Sequence, residues 1–186
     1  MTMQIILVWA PQSTEHFGLG FTATMFGVVS SASAISPIIF QYFMFARLDR
    51  ILGSTYSYRS ALCLFFPVIF SLPFITTIEN RIAVGVLLFF GNSAVVTLAS
   101  WSYASVNMMI SNAASPNVIG KVNGLASSLS ALSRVIAPVV GTCLFAATAK
   151  LNAFYPLNYV FSFHVAAWIC AGALLLTVFV PKSINR

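Results

Sequence analysis

Long runs of uncharged, mostly apolar residues alternate along the chain with short segments that carry the charges. No Asp, Glu, Lys or Arg occurs in residues 16–46, 60–78, 82–120 and 151–181. A membrane-spanning helix needs about 20 consecutive apolar residues, so each run is long enough to cross a bilayer. The pattern predicts five full spans, at about 21–45, 60–78, 82–110, 120–148 and 155–180.

A shorter apolar segment precedes the first full span. Residues 3–11 are mostly apolar but too few to cross a bilayer. They also lack the basic start and the longer apolar core of a signal peptide. We interpret residues 1–11 as the tail of a truncated helix, so we expect the chain to lack sequence that precedes it.

The composition supports a membrane protein. Apolar residues make up 59% of the 186 residues and charged residues only 6%, whereas about a quarter of a soluble domain is charged. This excludes an ordinary soluble enzyme, a disordered tail and a nucleic-acid-binding module. We therefore predict an all-α fold, a polytopic membrane helix bundle, with residues 1–186 as a single transmembrane domain in the lipid bilayer.

The distribution of Lys and Arg predicts the orientation. One set of alternate connections, at 12–20, 77–81 and 149–155, holds two basic residues, Arg81 and Lys150. The other set holds six, namely Arg47, Arg50, Arg59, Lys121, Lys182 and Arg186. By the positive-inside rule the C-terminus is expected in the cytoplasm. The choice between a plasma and a vacuolar membrane stays open. Aromatic residues fall near the predicted span ends, as in an aromatic belt: Tyr56, Tyr58, Trp101, Tyr103 and Tyr155.

Arg134 is the one charge inside a predicted span. It follows Lys121 by 13 residues, which is about 20 Å along a helix and past the middle of the bilayer. Such an arginine costs about 2.5–3.5 kcal/mol on insertion scales, so we expect it to line a substrate cavity or pair across a helix interface. The alternative is an arginine that extends to the outer headgroups. Arg134 shares a helix face with small residues, namely Gly120, Gly124, Ser127, Ala131, Pro138 and Gly141.

Two amides and two prolines are further candidates within the spans. Asn92 lies near the middle of the third span and Gln41 in the inner third of the first. Both need hydrogen-bond partners, so structural bonding and substrate contact stay open. Pro37 and Pro138 each remove a backbone donor, which marks either a moving hinge or a static kink.

No metal site or cofactor is expected. The three cysteines lie apart in apolar runs, without a paired spacing. All three acids, Glu15, Asp49 and Glu79, fall in predicted connections, so a proton relay through an intramembrane carboxylate cannot come from this segment alone.

The predicted cytoplasmic connection at 45–53 concentrates charge next to a turn glycine. It contains Arg47, Asp49, Arg50 and Gly53. Asp49 can cap the next helix or pair with an arginine across a domain seam, as expected of a cytoplasmic gate. The alternative is a solvated basic loop that only sets topology.

These segments resemble the C-terminal half of a major facilitator superfamily transporter. The connection at 47–53 is similar to the superfamily's Asp-Arg-x-Gly loop, with one extra residue before Gly53 and with Phe45 in place of an early glycine. The segment from Gly124 through Ala137-Pro138 to Gly141 resembles a glycine-rich signature of drug:proton antiporters, with three glycines replaced by small residues. Residues 104–124 look most like the fungal and plant 12-span branch, which includes zinc-induced-facilitator-like members.

The resemblance implies a secondary active transporter of small molecules that works by alternating access between two six-helix halves. It favours Gln41, Asn92 and Arg134 as cavity residues and places His164 at the periphery. It also implies that the chain is not an enzyme, that its partner is an N-terminal half, and that it is inactive without that half.

Two alternatives stay open. A truncated, non-transporting membrane protein could associate with full-length transporters through the face of Gly120 and Gly124. An intramembrane serine protease is disfavoured, because Ser93 and His164 would need to lie within hydrogen-bond reach and Ala94 replaces the glycine of the required turn.

Overall fold

The computed structural model describes residues 1–12, 18–150, 154–155 and 157–181. Within these ranges all regular structure is helical, which confirms the predicted all-α class. Five helices there are long and apolar enough to cross a membrane. The predicted connection residue Glu15 and the basic residues Lys182 and Arg186 lie outside the described residues.

The chain begins with a short helix, α1 (Thr2–Trp9). The first long helix is built of four pieces: α2 (Ala23–Ser33), α3 (Ile35–Phe40), a π-helical turn (Gln41–Phe45) and α4 (Ala46–Leu52). The others are α5 (Ser54–Ser71) with a 3-10 turn (Leu72–Thr77), α6 (Arg81–Ala113), α7 (Ile119–Lys150) and α8 (Val160–Leu176) with a 3-10 turn (Thr177–Phe179).

The segment at 45–53 differs from the expected connection. Helix α4 continues to Leu52 and α5 begins at Ser54, so Gly53 alone separates the two. Gly53 has φ 78°, a left-handed conformation that a residue with a Cβ adopts only with strain. The glycine therefore makes the tight turn that the sequence suggested, while its charged neighbours stand on a helix.

Hydrogen bonds show which helix ends meet. At the Gly53 end of the bundle, the Asn112 amide donates to Ser54 Oγ at 3.0 Å. At the opposite end, which we call the Glu79 end, Thr76 Oγ1 lies 2.7 Å from the Tyr159 hydroxyl. Helix α5 therefore runs antiparallel to both α6 and α8, as neighbours do in an up-and-down bundle.

The short helix α1 lies in the core rather than at the edge. Ile5, Ile6 and Trp9 are at most 1% exposed. The Trp9 ring meets Phe163 of α8 edge to face, with centroids 5.2 Å apart, and Phe145 of α7 belongs to the same cluster. Lipid is as apolar as these side chains, so close packing rather than exclusion of water holds this region together.

Candidate functional site

Arg134 lies on the exposed side of α7 and turns toward α6. Its guanidinium carbon is 5.2 Å from the ring centroid of Tyr103, a cation–π contact. Side chains on a helix lean toward its N-terminus, so the guanidinium sits nearer the Gly53 end of the span than the Arg134 backbone does. Its placement toward the interior of a larger assembly stays a prediction.

A polar cleft runs between α6 and α7 beside Arg134. Its volume is about 230 Å³. Its polar lining consists of Tyr58, Ser102, Tyr103, Asn107, Ser127 and Ser130. The Tyr103 hydroxyl has Asn107, Arg134 and Ser130 as polar neighbours. Residues 127, 130 and 134 share one face of α7 because they are three and four positions apart. The hydroxyls of Ser127 and Ser130 therefore line the cleft on the N-terminal side of Arg134.

The small-residue face of α7 divides into two parts. A Cβ added at Gly141 would lie 3.1 Å from Met1 Cγ, so this glycine lets α1 approach closely. At Gly120 and Gly124 nothing lies within 4 Å of an added Cβ. Close packing through Gly120 and Gly124 is therefore not made within the described part of this chain and stays a prediction about a partner.

Gln41 bonds to a neighbouring helix. Its amide donates to Ser100 Oγ of α6 at 2.7 Å. Two more contacts join the same helices: Ser36 Oγ lies 2.8 Å from Thr97 Oγ1, and Ser33 Oγ donates to the Phe89 carbonyl at 3.4 Å. We call Ser33, Ser36, Gln41, Thr97 and Ser100 the polar seam. The structure shows this contact between helices, and a contact of Gln41 with substrate stays a prediction.

Asn92 lies apart from the α6–α7 cleft. It is 3% exposed, on the buried face of α6 with Leu88 and Val95. It precedes Tyr103 by 11 residues, about 16 Å along the helix. The structure therefore does not bring Asn92 and Arg134 together.

The two prolines differ in their local structure. Pro37 cannot donate to the Ser33 carbonyl, which Ser36 Oγ satisfies instead at 2.7 Å. The break at Ala34 and the π-helical turn after Phe40 flank this proline, so the helix is irregular on both sides. Pro138 lies inside the continuous helix α7. A hinge at either position stays a prediction.

Asp49 is the buried member of the predicted gate. It is 9% exposed, and its Oδ1 has no hydrogen-bond partner among the described residues. It does not cap α5, whose first turn has no side-chain cap. Arg47 and Arg50 are exposed on either side of it. The role of Asp49, Arg47 and Arg50 as a gate stays a prediction.

Arg59 makes a contact that the sequence did not indicate. Its Nε donates to Thr177 Oγ1 at 2.9 Å and its Nη2 to the Thr177 carbonyl at 2.6 Å. The guanidinium also lies 5.3 Å from the Tyr56 ring centroid. A cation at a helix C-terminus compensates the free carbonyls and the helix dipole. Arg59 therefore fastens the end of α8 to the start of α5.

A second buried polar cluster joins α5 to α6. The Trp101 indole donates to Ser57 Oγ at 2.8 Å, and Ser105 Oγ lies 3.2 Å from the same atom. Trp101 is 5% exposed, so its expected place in a lipid-facing aromatic belt was wrong. The signal available in the sequence was the spacing of Trp101 and Ser105, one helical turn apart.

His164 is enclosed by aromatic rings. It stacks on Phe70, with ring centroids 4.2 Å apart and planes at 8°. Tyr155 meets it edge to face at 5.8 Å. These contacts make His164 a packing residue of α8, and the structure gives no contact between it and Ser93.

Together these features define a multi-pass helical membrane protein with polar contacts between its spans. Comparison with known proteins agrees with that class. The chain is 23% identical over 174 residues to Protein ZINC INDUCED FACILITATOR 1 of Arabidopsis thaliana, which covers 92% of this chain and 36% of that protein. It is 23% identical over 144 residues to the major facilitator superfamily multidrug transporter mfsB of Aspergillus fumigatus, which covers 73% of this chain and 24% of that protein.

These relatives place the chain near major facilitator transporters, as a distant similarity. The chain spans only about a quarter to a third of their length. No family profile and no solved structure matches it. The similarity supports an integral, multi-pass membrane protein with a distant relationship to these transporters.

Proposed function

We propose that this chain forms the C-terminal half of a secondary active transporter of small molecules that works by alternating access with a second helical half. The observation that carries the proposal is the unequal burial of the long helices. Within the most apolar 18-residue stretch of each long helix, the buried share of residues is 11% for Ala23–Leu52 and also 11% for Ile119–Ala149. In the other three long helices the buried share is 28–44%.

Both of the least-buried helices carry irregular or charged features, although an internal proline also occurs in α5, at Pro67. Ala23–Leu52 contains Pro37 and the π-helical turn, and α7 contains Arg134 and the open glycine face. Helix ends, prolines and charges inside spans often mark the moving, water-lined side of a transporter. We therefore place the substrate path along these two helices, with Arg134 as its charged residue.

The remaining residues take supporting roles in this proposal. Gly53 permits the tight turn at the cytoplasmic end, where Asp49, Arg47 and Arg50 form the gate. Gly120 and Gly124 let the second half approach α7, in the same way that Gly141 admits α1. Gln41 and Asn92 act through helix contacts within this half.

Cysteine labelling in membranes tests the water-lined path. Cys63, Cys143 and Cys170 are first replaced by alanine. Ser127→Cys, in the cleft, is then compared with Leu125→Cys, which is 64% exposed on a different face at nearly the same depth. We expect a membrane-impermeant maleimide to label position 127 but not 125, and labelling to change when a proton gradient is imposed.

Efflux measurements test transport itself. The name of the fungal relative suggests the first panel, a set of unrelated drugs, in cells expressing the complete reading frame that contains this chain. Efflux that exceeds that of empty cells supports a transporter. Labelling that is the same with and without a gradient, together with co-purification of a full-length transporter and no efflux, would favour the non-transporting alternative.

A further inference from the structure

The α6–α7 cleft combines one positive charge with several hydrogen-bond donors. The Arg134 guanidinium lies over Tyr103, and Asn107 and Ser130 are neighbours of the Tyr103 hydroxyl. Ser127 adds a second hydroxyl from α7. Tyr103, Asn107, Ser127 and Ser130 line the cleft, which has a volume of about 230 Å³. Arg134 lies beside it, against the Tyr103 ring, and is not one of its lining residues. Charge, donors and space therefore meet at one place inside the span, on the side of its middle nearer the Gly53 end.

The charge of Arg134 has no carboxylate partner in the described part of the chain. The sequence contains no Asp or Glu after Glu79, so α6 and α7 are free of acids. Asp49 lies at the Gly53 end, where α7 begins, and Arg134 is 15 residues further along α7 than Ile119, about 22 Å away along the axis. Glu79 lies at the opposite end of the bundle. A guanidinium at this depth needs an anion or water.

The side chains around the guanidinium suit an anion rather than a cation. Arginine only donates hydrogen bonds, and the Tyr, Ser and Asn side chains can all donate. A carboxylate accepts two parallel bonds from a guanidinium and further bonds from hydroxyl and amide groups. A cationic ligand would face a fixed positive charge with no acid to offset it. The cleft therefore selects for negative charge on what it holds.

We propose that the α6–α7 cleft binds the carboxylate of an anionic small molecule, with Arg134 as its charged ligand. Tyr103 and Ser130 orient the group from the two helix faces. The inference deepens the proposed transport function and rests on it, because the bound anion is the substrate. It commits to a small molecule from water, and an acid supplied by another protein segment is the competing outcome.

Binding is measured on the full chain in neutral phosphatidylcholine nanodiscs. The probes are acetate, succinate and citrate, each paired with its neutral amide, and the readout is the thermal melting curve. We expect succinate or citrate to raise the Tm while the amides do not. Arg134→Gln should weaken that binding about tenfold or more, because it removes a charge-assisted pair. Arg134→Lys should retain part of it, and Tyr103→Phe should lose less than Arg134→Gln.

Lys121→Gln is the matched control, since it removes an exposed charge near the start of the same helix. Its binding should equal that of the unmodified chain. The proposal is overturned if no carboxylate shifts the Tm, if an amide shifts it equally, or if the shift survives Arg134→Gln. It is also overturned if, in Arg134→Lys, a carbodiimide couples the lysine amine to an acidic residue of another segment as an amide and carboxylates do not compete.

Failure of this inference is distinguishable from failure of the transport proposal. Carboxylate binding that depends on Arg134 without any uptake into proteoliposomes would support the site and contradict transport. Uptake or efflux of a substrate that does not respond to Arg134→Gln would support transport and contradict the anion site.

Discussion

The bundle has a closed side and an open side, and the two are held together differently. On the closed side, α1, α5 and α8 bury aromatic and aliphatic residues against α6 and against the C-terminal part of α7, with Trp9 and Phe163 fully enclosed. On the open side, Ala23–Leu52 and α7 bury few residues and carry the polar seam and the α6–α7 cleft. Stability is therefore concentrated on one side, and unsatisfied charge and open glycines on the other.

The largest expected effect lies on the closed side. Phe163→Ala removes a fully buried ring that meets Trp9, so it should lower the free energy of unfolding by about 3–5 kcal/mol. Phe179→Ala, which removes a ring that is 83% exposed, should cost less than about 0.5 kcal/mol. Unfolding in mixed detergent measures both. Equal losses from the two variants would contradict the division of the bundle.

The next effect concerns the contact between the ends of α5 and α8. Arg59→Gln removes two charge-assisted hydrogen bonds to Thr177 and should cost about 1.5–3 kcal/mol. Arg50→Gln, an exposed arginine at the same end, should be neutral within about 0.5 kcal/mol. Hydrogen exchange of the residues near 177 provides a second readout. An unchanged exchange rate near residue 177 in Arg59→Gln would contradict a stabilising contact between Arg59 and the end of α8.

Two glycines on α7, Gly141 and Gly124, test the difference between the closed and the open side within a single helix. Gly141→Leu places atoms against Met1 and Ile5, and overpacking of this kind costs about 1–3 kcal/mol. Gly124→Leu meets nothing within 4 Å, so the unfolding free energy should stay within about 0.5 kcal/mol. Its expected effect is instead weaker association with a second half, measured by co-purification. Strong destabilisation by Gly124→Leu would show that its face is already packed.

The smallest expected effect is the loss of one interhelical hydrogen bond. Trp101→Phe keeps most of the ring but removes the bond to Ser57. Bonds of this kind between membrane helices average about 0.6 kcal/mol and reach about 1.7 kcal/mol. Trp168→Phe is the matched control, because that ring is 65% exposed. A difference below the error of the unfolding measurement would mean that the bond from Ser105 Oγ to Ser57 Oγ is sufficient for this contact.

The predictability of each feature follows from its physical origin. Spans and the Gly53 turn could be predicted because hydropathy and positive φ are properties of single residues or short windows. The helical state of residues 46–52 was missed, since charges there resemble a loop although α4 extends the span by nearly two turns. The partners of Arg59 and Trp101 could not be foreseen, because both contacts join residues that are far apart in sequence.

The sequence by itself determined that this protein crosses the membrane with five apolar helices and carries one arginine inside a span. These are consequences of the cost of placing charge in hydrocarbon, which acts locally along the chain. Only the tertiary structure decided that Gln41 is bound to Ser100, that Asn92 is buried apart from Arg134, and that Arg134 faces Tyr103 across a cleft. Between helices surrounded by lipid, close packing and individual hydrogen bonds choose the neighbours, and hydropathy carries no information about either.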